Sequence, residues 1–512
     1  MSPAAYPPIR HYSRHNFGIP LPVLGWNTKD PINSMDMRYA AALDNLIPKE
    51  HYLELRKGYK VYCPFDRAPA FLSTYEYGSL KHLLCACGGY FYKVDQSGEK
   101  IKLNQSPFSF DYWQDLRYKG RVYLFNGQDA PQVYYGETLQ NAEFSASEEY
   151  SADFEADKIF AGVLHSNRLF LLEKNSLKFW YTKDAGAVRG EVSPFDLSMI
   201  AKHGGTLAAA AQISPLSQES LIGFLTTNGE FIVYAGDNPG DISAWALKAR
   251  IKIPKPLGPN CFEEFYGETA YLSQEGCFLL SQLLQTAATN KRAEISDKIN
   301  TAIGEYQSRY TQPGWQIKHS PQERWLIVNI PARGGAVQHV MNTETGAWCR
   351  FTGINANCFA VLENKLYFAG ASKSGQGLFV FDNVYNDAAA QTPWNWQTPY
   401  TNFNNPLVKR ILESNILLKA NSNFVFDFSV SADFVPASKI YSGGVNEDFS
   451  KWDAAVWDLS KWAPEAKARK QRVLTLSPAG QYYSFGLSAL GYNQPLQIIG
   501  MDIFYEQGSN LI

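Results

Sequence analysis

The chain has 512 residues and a formal net charge of −2, with 45% hydrophobic and 19% charged residues. This balance argues against a protein that grips nucleic acid over a wholly basic surface, while leaving room for a local basic patch. No apolar run reaches the roughly 18 residues that span a membrane, and the opening Met1 to Arg10 lacks the apolar core of a secretory signal, so a soluble protein made in a cytoplasm is expected.

Aromatic residues reach 14%, with 30 Tyr, 31 Phe and 12 Trp against 6 Met, and there are 38 Gly and 27 Pro. That composition favours many short strands joined by turns over helical bundles. The seven cysteines are an odd number and form no CxxC pair. Cys85 and Cys87, two apart in an apolar run, would point to one face of a strand. Small buried hydrophobes in a reducing compartment is the plainer reading, and a metal or redox role the other.

Residues 1–24 read as an extended arm, with Pro3, Pro7, Pro8, Pro20 and Pro22 separating Arg10, His11, Arg14 and His15. Such a segment cannot bury enough surface to fold alone. It is either a disordered tail or an arm docked on a neighbour, with Arg10 and Arg14 as candidate partner contacts.

From about residue 70 to 385, strand pairs recur, as in His82–Leu103, His165–Thr182, Leu221–Gly236 and Cys358–Asp382. Each is an apolar or alternating run, a polar turn, and a second run. Asn228-Gly229, Glu275-Gly276, Glu173 to Asn175 and Glu344 to Gly346 suit tight hairpins. A period of roughly 40 to 50 residues is the signature of propeller blades. The expected fold is mainly β: an irregular β-propeller-like domain over 25–390, with six to eight blades. A helical insertion is expected at about 286–310, where Ile295, Ile299, Ile303 and Tyr306 keep helical spacing and Ser296 offers an N-cap.

The stretch Gln391 to Pro406, rich in Pro, Asn and Trp, reads as a loop and domain boundary. Beyond it, 391–512 is expected to form an accessory antiparallel sheet or sandwich. Phe424, Phe426, Phe428 and Val430 would share one face, with Val425, Asp427 and Ser429 on the other.

Signatures of catalysis are missing. There is no GxSxG, Walker loop or GxGxxG, and the eight histidines show neither HExxH nor HxH spacing. Glu263 and Glu264, adjacent on a strand, would face opposite sides and not cooperate. A non-enzymatic protein without cofactor or metal is expected, although a glycosidase propeller can gather carboxylates from distant blades. Lys248, Arg250 and Lys252 alternate onto one strand face, a solvated stripe or a contact for an acidic partner or phosphate. Lys467 to Arg472 is a second basic cluster, read as a loop. Trp394, Trp396 and Tyr400 are packing anchors or a sugar-stacking platform.

Several stretches resemble one family in order and wording. Gly25-Trp-Asn27-Thr-Lys-Asp30 is followed by Leu43-Asp44-Asn45, Pro48 and Arg56-Lys-Gly58-Tyr59. Later come Asn167 to Tyr181, Phe231 to Trp245, Val340 to Val361 and Gly500 to Glu506. Together they resemble tail nozzle proteins of short-tailed phages, the packaged-DNA-stabilisation or tail tubular protein B-like type. Asn27, Asp30, Asp44, Asn45, Pro48, Arg56 and Gly58 carry the match, and Leu46-Ile47 departs from it where an aromatic pair is expected.

The resemblance implies a structural virion protein, a tail hub that forms a homo-oligomeric ring, six copies by expectation, below the head–tail adaptor. It implies neighbouring fibre, spike or needle proteins and a lumen that retains and then releases double-stranded DNA without reading its sequence. A weakly acidic wall suits that role, since like charge limits friction with DNA. Lys248, Arg250 and Lys252 would then face protein rather than the lumen. The alternatives are a propeller that binds or cleaves host-surface glycans, and an intracellular interaction platform.

Overall fold

The computed structural model describes residues 14–213, 220–286, 294–420, 424–437, 439–445, 468–475, 477–491 and 493–508. Arg10 and Lys467 lie outside these residues.

Both faces of most strands between 71 and 381 are apolar, and the structure shows why. Seven groups of three or four sequential antiparallel strands follow one another among the described residues, the sixth and seventh as parts of larger sheets. Their first strands are Phe71–Tyr77, Gln114–Tyr118, Ile159–His165, Leu207–Ile213, Phe262–Phe265, Gln316–Ser320 and Asn355–Leu362. The second first strand lies against the third and the third against the fourth. The fifth lies against the sixth, the sixth against the seventh, and the seventh against the first. The sheets thus stand around an axis, which is the propeller-like arrangement expected from the repeat, with seven blades.

A blade packs on two neighbours, so successive residues of one strand enter different cores. Leu83, Cys85 and Cys87 pack toward the seventh sheet, with Cys63, Cys358 and Leu378. Leu84 and Ala86, between them, pack toward the second, with Trp113, Val122 and Leu124. Leu169 and Leu171 join Tyr123, Phe125 and Trp180, while Phe170 and Leu172 join Ile222, Phe224 and Trp245. Burial on both faces removes the apolar/polar alternation of a half-exposed strand. Each Leu or Phe so buried contributes about 1.5–3 kcal/mol.

The ring is closed by a strand from before the first blade. Tyr59–Phe65 pairs antiparallel with Gly375–Phe381, joining Tyr59 to Phe381 and Phe65 to Gln376. Asn357 Nδ2 also donates to Pro69 O at 2.9 Å. Hairpins form at the expected turns; at Gly229, φ is +79° and a Cβ would meet Ile253 O at 2.3 Å, so only glycine fits.

The fifth sheet has three strands among the described residues and runs into the helix Leu280–Thr286. After it, a short 3-10 turn Asp297–Ile299 leads into the helix Asn300–Arg309, which buries Ala302 and Ile303. Ser296 does not cap this helix with its side chain. Its Oγ instead accepts from Cys277 N at 2.7 Å and donates to Asn300 Oδ1 at 2.5 Å, binding the helix start to the fifth sheet.

The C-terminal half contains two sheets, and neither is built from residues after 390 alone. In one, Lys409–Ala420 and Leu496–Gln507 are flanked by Ala468–Leu474, by Leu53–Leu55 with Leu46–Pro48, and by Arg14–Ile19. In the other, the sixth blade continues through Ala42–Asp44 into Pro393–Gln397, Tyr483–Leu490, Phe424–Ala432 and Ile440–Val445. Arg14–Ile19, Leu46–Pro48 and Leu53–Leu55 therefore pair within a C-terminal sheet, while Gly25–Trp26 and Ala42–Asp44 pair with Trp348–Phe351 of the sixth blade. The segment 25–55, which the sequence reading placed in the propeller, thus bridges it to the C-terminal sheets. Two local readings change with it. Pro393–Gln397 is a strand within the expected boundary loop, because Trp394 and Trp396 both turn into the core at 2% and 1% exposure. Residues 468–472 are in a strand rather than a loop. The alternation at Phe426, Phe428 and Val430, all buried, with Val425 exposed, is as expected.

Candidate functional site

Five of the seven residues that carry the family resemblance, Asp44, Asn45, Pro48, Arg56 and Gly58, meet where the propeller joins the C-terminal sheets. Asp44 holds Arg350 of the sixth blade through two bonds, Nε to Oδ1 at 2.6 Å and Nη2 to Oδ2 at 2.9 Å. Asn45 has φ +58°, a conformation Asn tolerates better than most residues. That turn aims its side chain back into the junction. Its Nδ2 donates to Thr352 Oγ1 and Pro393 O, and its Oδ1 accepts from Thr352 N and Arg56 Nε.

Arg56 is fully buried. It uses all five N–H groups: Nε on Asn45 Oδ1, Nη1 on Lys57 O and Asp387 Oδ1, Nη2 on Thr352 O and Asp387 Oδ2. A buried cation without such a set would carry a desolvation cost that only neutral substitution could relieve. Gly58 lies under Asn386, whose O would be 1.9 Å from any Cβ. Pro48 O accepts from Asn342 Nδ2 at 2.8 Å.

Asn27 and Asp30 form a separate clasp. Asn27 Oδ1 accepts from the N–H groups of Lys29 and Asp30, an Asx turn, and its Nδ2 donates to Asp30 Oδ2. Asp30 then takes Lys298 at 2.8 Å, at the start of the helical segment. All seven motif residues thus bind one part of this chain to another. None borders a cavity described here.

The candidate partner contacts are placed differently. Arg14 pairs with Glu413 at 2.7 Å and lies 4.8 Å from the Phe504 ring, so it fastens the N-terminal strand to its own sheet. Lys248, Arg250 and Lys252 lie exposed along Trp245–Lys252, the outermost strand of the fourth blade, away from the propeller axis. Arg250 donates to Ile200 O at 2.9 Å and lies 3.5 Å from Glu230; Lys252 donates to Asn228 O.

A cavity of about 620 Å³ opens on the axis. Six of the seven first strands reach it at or beside their starts, through Phe71, Trp113, Phe160, Leu207, Trp315 and Cys358, and the fifth blade reaches it through the connection 256–260. Its charged residues are Asp115, which accepts from Ser73 at 2.8 Å, and Lys174, which donates to Gly127 O at 3.1 Å. Sequence reasoning missed this site because each blade contributes only a few residues to it. Of the adjacent carboxylates, Glu263 binds Lys318 at 2.8 Å while Glu264 is exposed.

Other reactive groups are buried without a chemical setting. Burial raises the Cys277 and Cys358 thiols to about 12. His339 is fully buried, and burial, followed by the neighbouring Arg350, lowers it to about 3. Burial, followed by Lys93, lowers His82 to about 4. Among the described residues, no group of three or more His, Cys, Asp or Glu is placed to hold a metal ion.

No family model and no curated protein matches the chain. Among solved structures, a streptogramin B lyase is similar over 63% of this chain and 95% of its own, at 10% identity and a TM-score of 0.40. A putative 6-phosphogluconolactonase from Bacteroides fragilis is similar over 62% and 94%, at 14% identity and 0.37. PorZ, a surface component of the type-IX secretion system of Porphyromonas gingivalis, is similar over 60% of this chain and 36% of its own, at 11% identity and 0.37. At this level the likeness says nothing of activity, and the propeller description rests on the strand pairing and the inter-sheet cores.

Proposed function

We propose that the chain is a non-catalytic tail nozzle or hub subunit of a short-tailed phage, assembling as a ring that extends the DNA exit channel below the head–tail adaptor. The observation that carries this reading is the buried junction: Asp44, Asn45, Pro48, Arg56 and Gly58, the residues of the resemblance, weld the propeller to the C-terminal sheets. A wall subunit under the pressure of packaged DNA needs such a weld, because motion between its parts would open the channel.

The axial cavity, about 620 Å³, is of small-molecule size. In this reading duplex DNA passes between subunits, six in the ring, and not along a subunit's own propeller axis. The net charge of −2 keeps the wall from binding phosphate strongly. The exposed rim of Lys248, Arg250 and Lys252 then meets neighbouring copies or fibre, spike or needle proteins in the virion.

Mass photometry and negative-stain imaging of the purified chain, alone and with phage adaptor rings, test this. A hollow ring, free or on the adaptor, is expected. A monomer that ignores the adaptor overturns the reading and favours a propeller that acts alone on glycans.

A further inference from the structure

We propose that the axial cavity of the propeller is a binding site for a neutral saccharide. The inference is independent of ring assembly. It rests on the size and chemistry of the cavity, which lies among connections from every blade.

At about 620 Å³ the cavity falls within the roughly 300–1,000 Å³ of small-molecule sites. Its lining offers little to a charged ligand. Asp115 and Lys174 are of opposite sign; Asp115 takes Arg117 at 3.4 Å and Ser73 of the preceding blade, and Lys174 donates to Gly127 O of the preceding blade. What remains is amide and aromatic. Asn260, Gln274 and Gln307 are half-buried, and none is among the side chains that hydrogen-bond within the described structure. They come from the fifth blade and from the helix Asn300–Arg309, so three amides with both donor and acceptor capacity line the cavity.

The aromatic side chains complete the match. Phe110 and Tyr112, with ring centroids 5.4 Å apart, reach the cavity from the connection into the second blade. Tyr112 is 41% exposed. A sugar presents hydroxyls, which need donors and acceptors together, and C–H faces, which pack on aromatic rings. An ammonium ligand would meet only Asp115, already paired with Arg117 at 3.4 Å, and a phosphate or carboxylate only the single Lys174, whose Nζ is drawn to Gly127 O.

The full chain would be titrated by calorimetry and saturation-transfer NMR with neutral trisaccharides of glucose, galactose and N-acetylglucosamine. Glucose 6-phosphate and glucosamine serve as charged controls. The expected result is binding of at least one neutral sugar with a Kd on the order of 1 mM or tighter, and weaker binding of both controls. Gln274→Ala with Gln307→Ala should weaken it by about tenfold or more. Lys252→Ala, on the outer rim, should leave it unchanged. Failure of every neutral sugar, a preference for a charged control, or unchanged binding in the double variant overturns the proposal. If the double variant melts early by circular dichroism, the selectivity of the native chain decides alone.

Discussion

Arg56 and Asp387, 331 positions apart, meet as a two-bond ion pair inside the protein, with Nη1 to Oδ1 at 2.9 Å and Nη2 to Oδ2 at 2.6 Å. The pair joins the segment that leads into the ring-closing strand to the chain that leaves the last blade. With Asp44 and Arg350 it is one of the contacts that tie the propeller to the C-terminal sheets.

Replacing Arg56 by Lys should therefore be severe despite the retained charge. Lysine has three donors on one nitrogen and cannot reproduce the planar fork, so several junction acceptors lose their partners. A loss of about 3–5 kcal/mol is expected from breaking a buried pair. Chemical denaturation of the variant measures it.

Gly58→Ala tests the same junction by sterics alone. The added methyl would sit 1.9 Å from Asn386 O, a backbone atom that cannot rotate away. Destabilisation of about 3 kcal/mol or more, or insoluble expression, is expected. Thermal melting near that of the native chain would show that the loop at Asn386 yields easily.

Glu413 is shared by Arg14 at 2.7 Å and Arg472 at 2.6 Å. Burial opposes its ionised form, but the bonds from Arg472 and Arg14 outweigh it and hold the carboxyl below its ordinary value. Either arginine alone satisfies the charge, and both are half exposed, so Arg14→Ala or Arg472→Ala should each cost no more than about 1 kcal/mol. The double variant leaves a buried carboxylate unpaired and should cost more than the sum. Additivity in a double-mutant cycle would mean that solvent reaches Glu413.

Acid should destabilise the fold through its buried histidines. In the unfolded chain His82 and His339 take up protons as pH falls through about 6.5, whereas folded they stay neutral to about 4 and 3. The unfolded state thus binds more protons in this window. Stability is full above about 6.5 and declines as pH falls toward 4. His339 has no hydrogen-bond partner on either ring nitrogen. His339→Leu should therefore melt close to the native chain at neutral pH and lose less on acidification, as followed by Tm against pH.

Hairpins, the burial alternation at Phe426 to Val430, and the common face of Cys85 and Cys87 were legible because each is a property of one strand or one turn. The junction was legible only in part. Asp44, Asn45, Arg56 and Gly58 stood out as a motif, but their partners Arg350, Thr352, Asp387 and Asn386 lie about 300 residues away. The strand at Pro393–Gln397 was read as a loop because Pro, Asn and Gln suggest one, while burial of Trp394 and Trp396 against the sheet overrode that local preference.

The sequence by itself determined that this protein is mainly β, built from repeated short strands around a large apolar interior. Composition, turn residues and periodicity are local quantities, and they record how much of each strand is buried. Only the tertiary structure decided what each strand is buried against. It closed the ring of blades with a strand from before the first, and carried Arg14–Ile19, Leu46–Pro48 and Leu53–Leu55 into a C-terminal sheet. It also brought amides and aromatics of separate blades to one axial cavity. Those outcomes depend on pairing between distant segments, whose loop-closure entropy is offset only when the whole core forms at once.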